Sequence, residues 1–122
     1  MQNRVAGFPD RAVITEVGPR DGLQSEPAFV PTKRKIALVQ ALLDAGLRRF
    51  EVTSFVSPRA VPQMRDAAEV MAAFRDRQDA HLTALVPNAR GAAAAIEAWS
   101  ASPLFRCENF TSTSMKSTQT GK

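Results

Sequence analysis

Residues 12–24 read Ala12-Val13-Ile14-Thr15-Glu16-Val17-Gly18-Pro19-Arg20-Asp21-Gly22-Leu23-Gln24, and this stretch decides the fold. A compact β-branched run stopped by Gly18-Pro19 predicts a buried strand over residues 12–17 that ends in a turn. The turn carries an Arg-Asp pair set between glycines. In parallel α/β architectures the C-terminal ends of the strands are where ligands gather, so a strand that delivers such a pair there marks a candidate site.

Downstream of the turn the pattern repeats. After a loop holding Pro27 and Pro31, residues 32–45 place Ile36, Val39 and Leu43 at i, i+3 and i+7, with Leu42 beside them and Gly46 as a stop, which predicts an amphipathic helix. Residues 47–53 predict a second strand, followed by a Ser/Pro-punctuated loop over 54–62. Residues 66–77 predict a second helix through Ala67, Val70, Met71 and Phe74. Residues 81–86 read as a third strand broken by Pro87, and Asn88 is a suitable N-cap for an Ala-rich helix running to about Trp99. Three β-loop-α units in succession imply an α/β protein with a parallel sheet and right-handed crossovers.

Beyond Trp99 the character changes. Residues 100–122 contain nine Ser or Thr, against seven in residues 1–98, and no periodicity. Such a segment buries little surface, so the expected organisation is one α/β domain over residues 1–99 and a Ser/Thr-rich, loosely ordered tail over 100–122. A chain of 122 residues with 44% hydrophobic content has room for one small globular domain and not for a complete large barrel.

Sixteen Lys and Arg against twelve Asp and Glu leave a net charge of +4, which favours anionic partners. The arginines are scattered, without the contiguous stripe or interleaved aromatics of nucleic-acid readers, so no nucleic-acid partner is expected and most are read as solvated helix surface. Ser57-Pro58-Arg59 and the basic cluster Lys33-Arg34-Lys35 are candidate phosphate contacts, though lysines at a helix start oppose the dipole and are no anion site in themselves. One cysteine, Cys107, and one histidine, His81, exclude an internal disulfide framework and a four-ligand Cys/His zinc site. No apolar run approaches the roughly 18 residues that span a bilayer, so no membrane is expected. The first ten residues lack a signal-peptide core, and by default the cytoplasm is the expected location.

Asp21 offers a hard carboxylate suited to Mg²⁺ or Mn²⁺, Arg20 a guanidinium fork for an oxyanion, and Gln24 an amide that donates and accepts within one turn. The same Arg-Asp turn is also compatible with one tied up by its own side-chain hydrogen bonds. Glu16 and Glu51 lie in otherwise apolar strands, where a carboxylate is costly unless paired, metal-linked or shifted in pKa. They share one site with Arg20, or else turn outward to pair with Arg48 or Arg49. Thr53 and Ser54 bring hydroxyls to the same strand end. His81 opens the third strand at the far end, and Cys107 has no neighbouring base, so neither is read as a site residue.

Two stretches, Glu16-Val17-Gly18-Pro19-Arg20-Asp21-Gly22-Leu23-Gln24 and residues 53–64, Thr-Ser-Phe-Val-Ser-Pro-Arg-Ala-Val-Pro-Gln-Met, resemble the N-terminal part of hydroxymethylglutaryl-CoA lyase. The Arg-Asp-Gly core is shared with the wider group of metal-dependent aldol and Claisen enzymes, while the Ser-Phe-Val-Ser-Pro segment resembles the lyase itself. The similarity covers about residues 12–98, including Leu85-Val86-Pro87-Asn88. It implies the first three or so units of a TIM-type (β/α)₈ barrel, incomplete here, and cleavage of an acyl-CoA substrate, 3-hydroxy-3-methylglutaryl-CoA, to acetyl-CoA and acetoacetate with a divalent cation. By the resemblance Asp21 is a metal ligand and Arg20 stabilises the developing enolate oxygen, with Glu16, Gln24 and Glu51 as the surrounding polar and catalytic groups.

The family completes its metal site with a His-x-His pair and an Asn and carries a catalytic Cys in a Gly-rich loop, and this chain has none of these in that pattern. Asn109 and Cys107 are the right residue types in the wrong surroundings. A barrel of this kind takes about 250 residues, so the expectation is a truncated lyase-like chain, inactive alone. Its open sheet edge invites self-association. The alternative is a non-catalytic half-barrel that works by binding a partner chain.

Overall fold

In the computed structural model residues 7–100 are described, with the side chain of residue 100 left out. The predicted helix after the Pro31 loop forms as α1, Thr32–Asp44. Its end follows from Gly46, whose φ of +100° is open to glycine without strain. There Gly46 N–H donates to Leu43 O at 3.0 Å and Leu47 N–H to Leu42 O at 3.1 Å, the paired bonds that close a helix C-terminus. Strand β1, Arg49–Ser54, follows at once. A 3₁₀ turn over Pro62–Met64 leads into α2, Ala67–Ala73, shorter than the predicted 66–77. Strand β2 is His81–Leu85, and α3 is Ala89–Ser100, with Asn88 Oδ1 accepting from Gly91 N–H at 2.9 Å as the predicted N-cap.

β1 and β2 pair in parallel, Arg49 opposite His81 through Ser54 opposite Leu85, with a register irregularity between Glu51 and Thr53 that leaves Val52 as the extra residue. The first predicted strand is corrected. Of residues 12–17 only Glu16 pairs, as a parallel bridge to Phe50, with Glu16 N–H to Arg49 O and Glu51 N–H to Glu16 O both 2.9 Å. Val13 and Ile14 are 73% and 77% exposed. β-branched residues favour a strand only where a pleated face is covered, and here nothing covers these two. The architecture is therefore a small α/β layer of two parallel strands and one bridge, with two β-loop-α units following the bridge and α1 in place of the three expected, consistent with part of a barrel.

The core lies between the sheet and the helices. Val39 and Leu43 of α1, Phe50 and Val52 of β1, Phe55, and Ala67, Met71 and Phe74 around α2 form one buried cluster, against which Leu82 and Trp99 pack. The stripe of α1 extends to a charge: Lys35 is buried, not part of a solvated basic cluster. Its Nζ donates to Asp66 Oδ1 at 2.6 Å and to Gln63 O, and Asp66 Oδ2 accepts from Thr32 Oγ1 at 2.7 Å. The predicted tail, with Cys107 and Asn109, lies outside the described residues.

Candidate active site

Pro19 is buried, and around it Gly18–Gly22 winds as a single π-helical turn. Arg20 and Asp21 N–H groups both donate to Val17 O, at 3.1 and 2.7 Å, and Leu23 N–H reaches back to Gly18 O. The turn is tightened from the strand side by Glu16, whose Oε1 accepts from Gly18 N–H at 2.8 Å. A Cβ on Gly18 would sit 2.9 Å from that same oxygen, so the residue must be glycine while Glu16 keeps this position. Glu16 thus caps the turn and pairs with neither Arg48 nor Arg49: Arg48 donates to the carbonyls of Leu43 and Leu47 instead.

Held this way, the turn sets Arg20 beside β1. Its Nε donates to Glu51 Oε1, and its Nη1 to Asp21 Oδ1 at 3.2 Å. Arg20 and Glu51 are each about one-fifth exposed, Asp21 64%. The backbone explains why Glu51 is in reach, because Glu51 N–H is the donor that closes the bridge to Glu16. Arg20 thus links Asp21 and Glu51 through side-chain contacts, while Glu16 bonds to the backbone of the same turn. Gln24 is half-buried, and its Oε1 accepts no hydrogen bond among the described residues. A buried acceptor without a donor is unfavourable until something polar meets it.

The hydroxyls after Glu51 divide. Thr53 Oγ1 faces Met64 Sδ at 3.8 Å inside the core and belongs to packing, whereas Ser54 Oγ is fully buried with no partner among the described residues. His81 begins β2 and donates its N–H to Arg48 O at 2.7 Å, at the end of the strands away from Arg20. Among the described residues no three His, Cys, Asp or Glu side chains come together as a metal site, so Asp21 is one hard ligand without companions. What periodicity did not reveal is the Lys35–Asp66 pair, since a lysine one position before an apolar stripe reads as surface.

The arrangement can orient a guanidinium toward an anionic oxygen and offer one carboxylate to a cation. Comparisons with known proteins place the chain among lyases. The chain is 50% identical over 91 residues to a mitochondrial hydroxymethylglutaryl-CoA lyase of Gallus gallus, covering 75% of this chain and 30% of that protein. It is 49% identical over 89 residues to a cytoplasmic 3-hydroxy-3-methylglutaryl-CoA lyase of Mus musculus, covering 73% and 26%. The structure of an HMG-CoA lyase from Acinetobacter baumannii in complex with coenzyme A and 3-methylmalate is similar with a TM-score of 0.66 and 48% identity, over 70% of this chain and 28% of that one. The chain spans less than a third of the length of the curated relatives it matches. Residues 11–120 match the HMGL-like family across most of the sequence, and the chain belongs to that family.

Proposed function

We propose that residues 12–98 form the N-terminal share of an active site that cleaves 3-hydroxy-3-methylglutaryl-CoA to acetyl-CoA and acetoacetate. The observation that carries the reading is the Arg20–Glu51 pair, a guanidinium fixed by a carboxylate of the neighbouring strand beside a glycine-bounded turn. Breaking the carbon–carbon bond moves an electron pair into the thioester and builds negative charge on its oxygen. A donor already oriented stabilises that charge with little reorganisation. Glu51 takes Nε of Arg20 and Asp21 takes Nη1, which leaves the Nη2 hydrogens for the enolate oxygen.

Glu16 acts through the turn as a positioning residue, and Gln24 supplies its unpartnered Oε1 to a substrate donor. Asp21 is this chain's contribution to a divalent cation, Mg²⁺ or Mn²⁺. One carboxylate does not make a site for such an ion, and its remaining ligands must come from other residues. The 122-residue chain alone is accordingly expected to release no acetyl-CoA at a substantial rate. The cytoplasmic location is part of the same proposal; the relatives named above include one cytoplasmic and one mitochondrial lyase.

A second reading, a half-barrel that binds a partner chain without catalysis, is favoured by the exposed Val13, Ile14 and Leu85 at the two sides of the sheet. The experiment that separates them is a chimera in which residues 12–98 replace the matching segment of the Acinetobacter baumannii lyase. Metal-dependent acetyl-CoA release by the chimera, lost on Arg20→Gln, is the expected result. A folded chimera without activity overturns the lyase reading and leaves the binding one.

A further inference from the structure

The Arg20–Asp21 turn has two sides, and Glu16 holds only one of them. Toward Val17 and Glu16 its hydrogen bonds run from 2.7 to 3.1 Å. Toward residues 25 and 26 they are longer: Ser25 N–H to Asp21 O and Glu26 N–H to Leu23 O are both 3.3 Å, beyond the usual N–H···O distance of about 2.9–3.0 Å. Ser25 Oγ adds one bond of 3.0 Å to Asp21 O. Pro27 and Pro31 follow, with no N–H to donate. Local structure therefore ties this side of the turn weakly.

The segment after β1 reaches it from across the fold. Gln63 Nε2 donates to Glu26 O at 2.9 Å, and Arg65 lays its guanidinium on the Phe29 ring, with Cζ 3.5 Å from the ring centre. Arg65 is exposed and lines, with Arg59 and Arg90, a recess between this segment and α3, so its place on the ring is not imposed by burial. The segment 62–66 is in turn fixed by α1. Lys35 Nζ donates to Gln63 O and to Asp66 Oδ1, Thr32 Oγ1 donates to Asp66 Oδ2, and Lys35 Nζ also stands 4.5 Å from the Phe29 ring centre. A buried ion pair is a poor source of net stability beside apolar packing of the same volume, but its directed bonds fix position. Here those bonds end on the carbonyl of the residue whose side chain holds Glu26.

We propose that Gln63 and Phe29 are positioning residues for Arg20 and Asp21: through them the loop after β1 clamps residues 26–29 and holds the turn on its C-terminal side, as Glu16 holds it on the other. The Lys35–Asp66 pair is the anchor of this clamp. That the clamp aligns the Arg20 guanidinium and the Asp21 carboxylate for catalysis rests on the lyase reading; the mechanical link between the two loops does not. A catalytic group displaced by about 1 Å loses up to about 10²-fold in rate, so a loosened clamp is read in kcat.

Amide hydrogen exchange of the 122-residue chain tests the link directly. Gln63→Leu/Phe29→Leu removes the donor and the ring while leaving the main-chain carbonyl of residue 63 on Lys35. Exchange about tenfold faster is expected at the Arg20, Asp21, Ser25 and Glu26 amides, with no change at those of Ala45 and Phe55, which are bonded to Ala41 O and Leu85 O. Phe29→Tyr, which keeps a ring under Arg65, should exchange at the native rates. Unchanged turn amides in the double variant overturn the proposal, and Phe29→Tyr rates equal to those of the double variant overturn it too. A uniform acceleration that includes Ala45 and Phe55 assigns both residues to general stability and also overturns it. In the chimera the double variant should lower kcat about tenfold while KM changes by less than about twofold; a loosened turn with kcat unchanged overturns the positioning role. A parent chimera without activity removes only the lyase reading, and the exchange rates then decide the clamp.

Discussion

At Arg20 the smallest scale already carries chemistry. Its value lies in being held by two carboxylates at once, so the substitution that matters keeps a polar side chain and loses the charged fork. In the chimera, Arg20→Gln is expected to lower kcat by about 10²–10³ with a smaller change in KM, because the contact forms with charge that exists only in the transition state. An equal loss in KM would mean ground-state binding instead. A second residue prediction concerns packing. A Cβ at Gly91 would lie 2.3 Å from Phe55 O, a backbone atom that cannot step aside. Gly91→Ala is expected to cost about 1–3 kcal/mol, read as a lower urea midpoint at unchanged slope. Gly22→Ala, where nothing lies within 4 Å, serves as the control and should shift the midpoint little.

Among elements, the joint between α1 and the start of α2 is decided by a buried ion pair. Lys35 and Asp66 side chains are each 4% exposed, and Thr32, Gln63 O and the Phe29 ring complete their surroundings. Lys35→Met leaves Asp66 charged and short of its partner, an expected loss of about 3–5 kcal/mol. Lys35→Met/Asp66→Leu should recover much of it, and a double variant no better than the single would assign the loss to packing. The entry to β2 carries a weaker device. Arg77 donates to both oxygens of Asp79, at 2.9 and 3.1 Å, and this bond holds the Asp79 carboxyl below the usual carboxylate range. A depressed folded pKa means the contribution is present above the unfolded value and is lost as pH falls through the folded one, below about pH 4. Urea midpoints of the chain and of Asp79→Asn should therefore differ slightly at neutral pH and converge in acid; the effect is small because the pair is exposed.

For the molecule as a whole, the open sides of the sheet dominate. Val13 and Ile14 stand uncovered beyond the Glu16 bridge, and Leu85 of β2 and Ile96 of α3 are 40% and 45% exposed. An unpaired parallel edge beside exposed apolar side chains is a template for association. Sedimentation of the purified chain is expected to show self-association that Ile14→Lys/Leu85→Lys reduces. A monomer at all concentrations would refute the edge as an association surface.

Much of this protein follows from local pattern. The 3,4-spaced apolar residues of α1, the glycine that ends it, Asn88 as a cap and the apolar runs of β1 and β2 each carry their own instruction, because period and capping act within a few residues. Arg20, Asp21, Glu16 and Glu51 stand out as candidates for the same reason: polar residues inside or just after apolar runs are locally visible. Other features depend on what lies across space. Residues 12–15 have the composition of a strand and no partner to make one. Lys35 became core because Asp66, thirty-one positions on, meets it; Glu16 became a cap rather than a partner of Arg48 because the turn presents the Gly18 N–H first. Arg59, Arg65 and Arg90 come to one recess from three separate segments, and of these only Arg59 stood out locally. Propensity and periodicity are properties of a segment, and the sequence alone determined the segments; burial, ion pairing and the shape of a groove are properties of neighbours, and only the tertiary structure decided which residues those are.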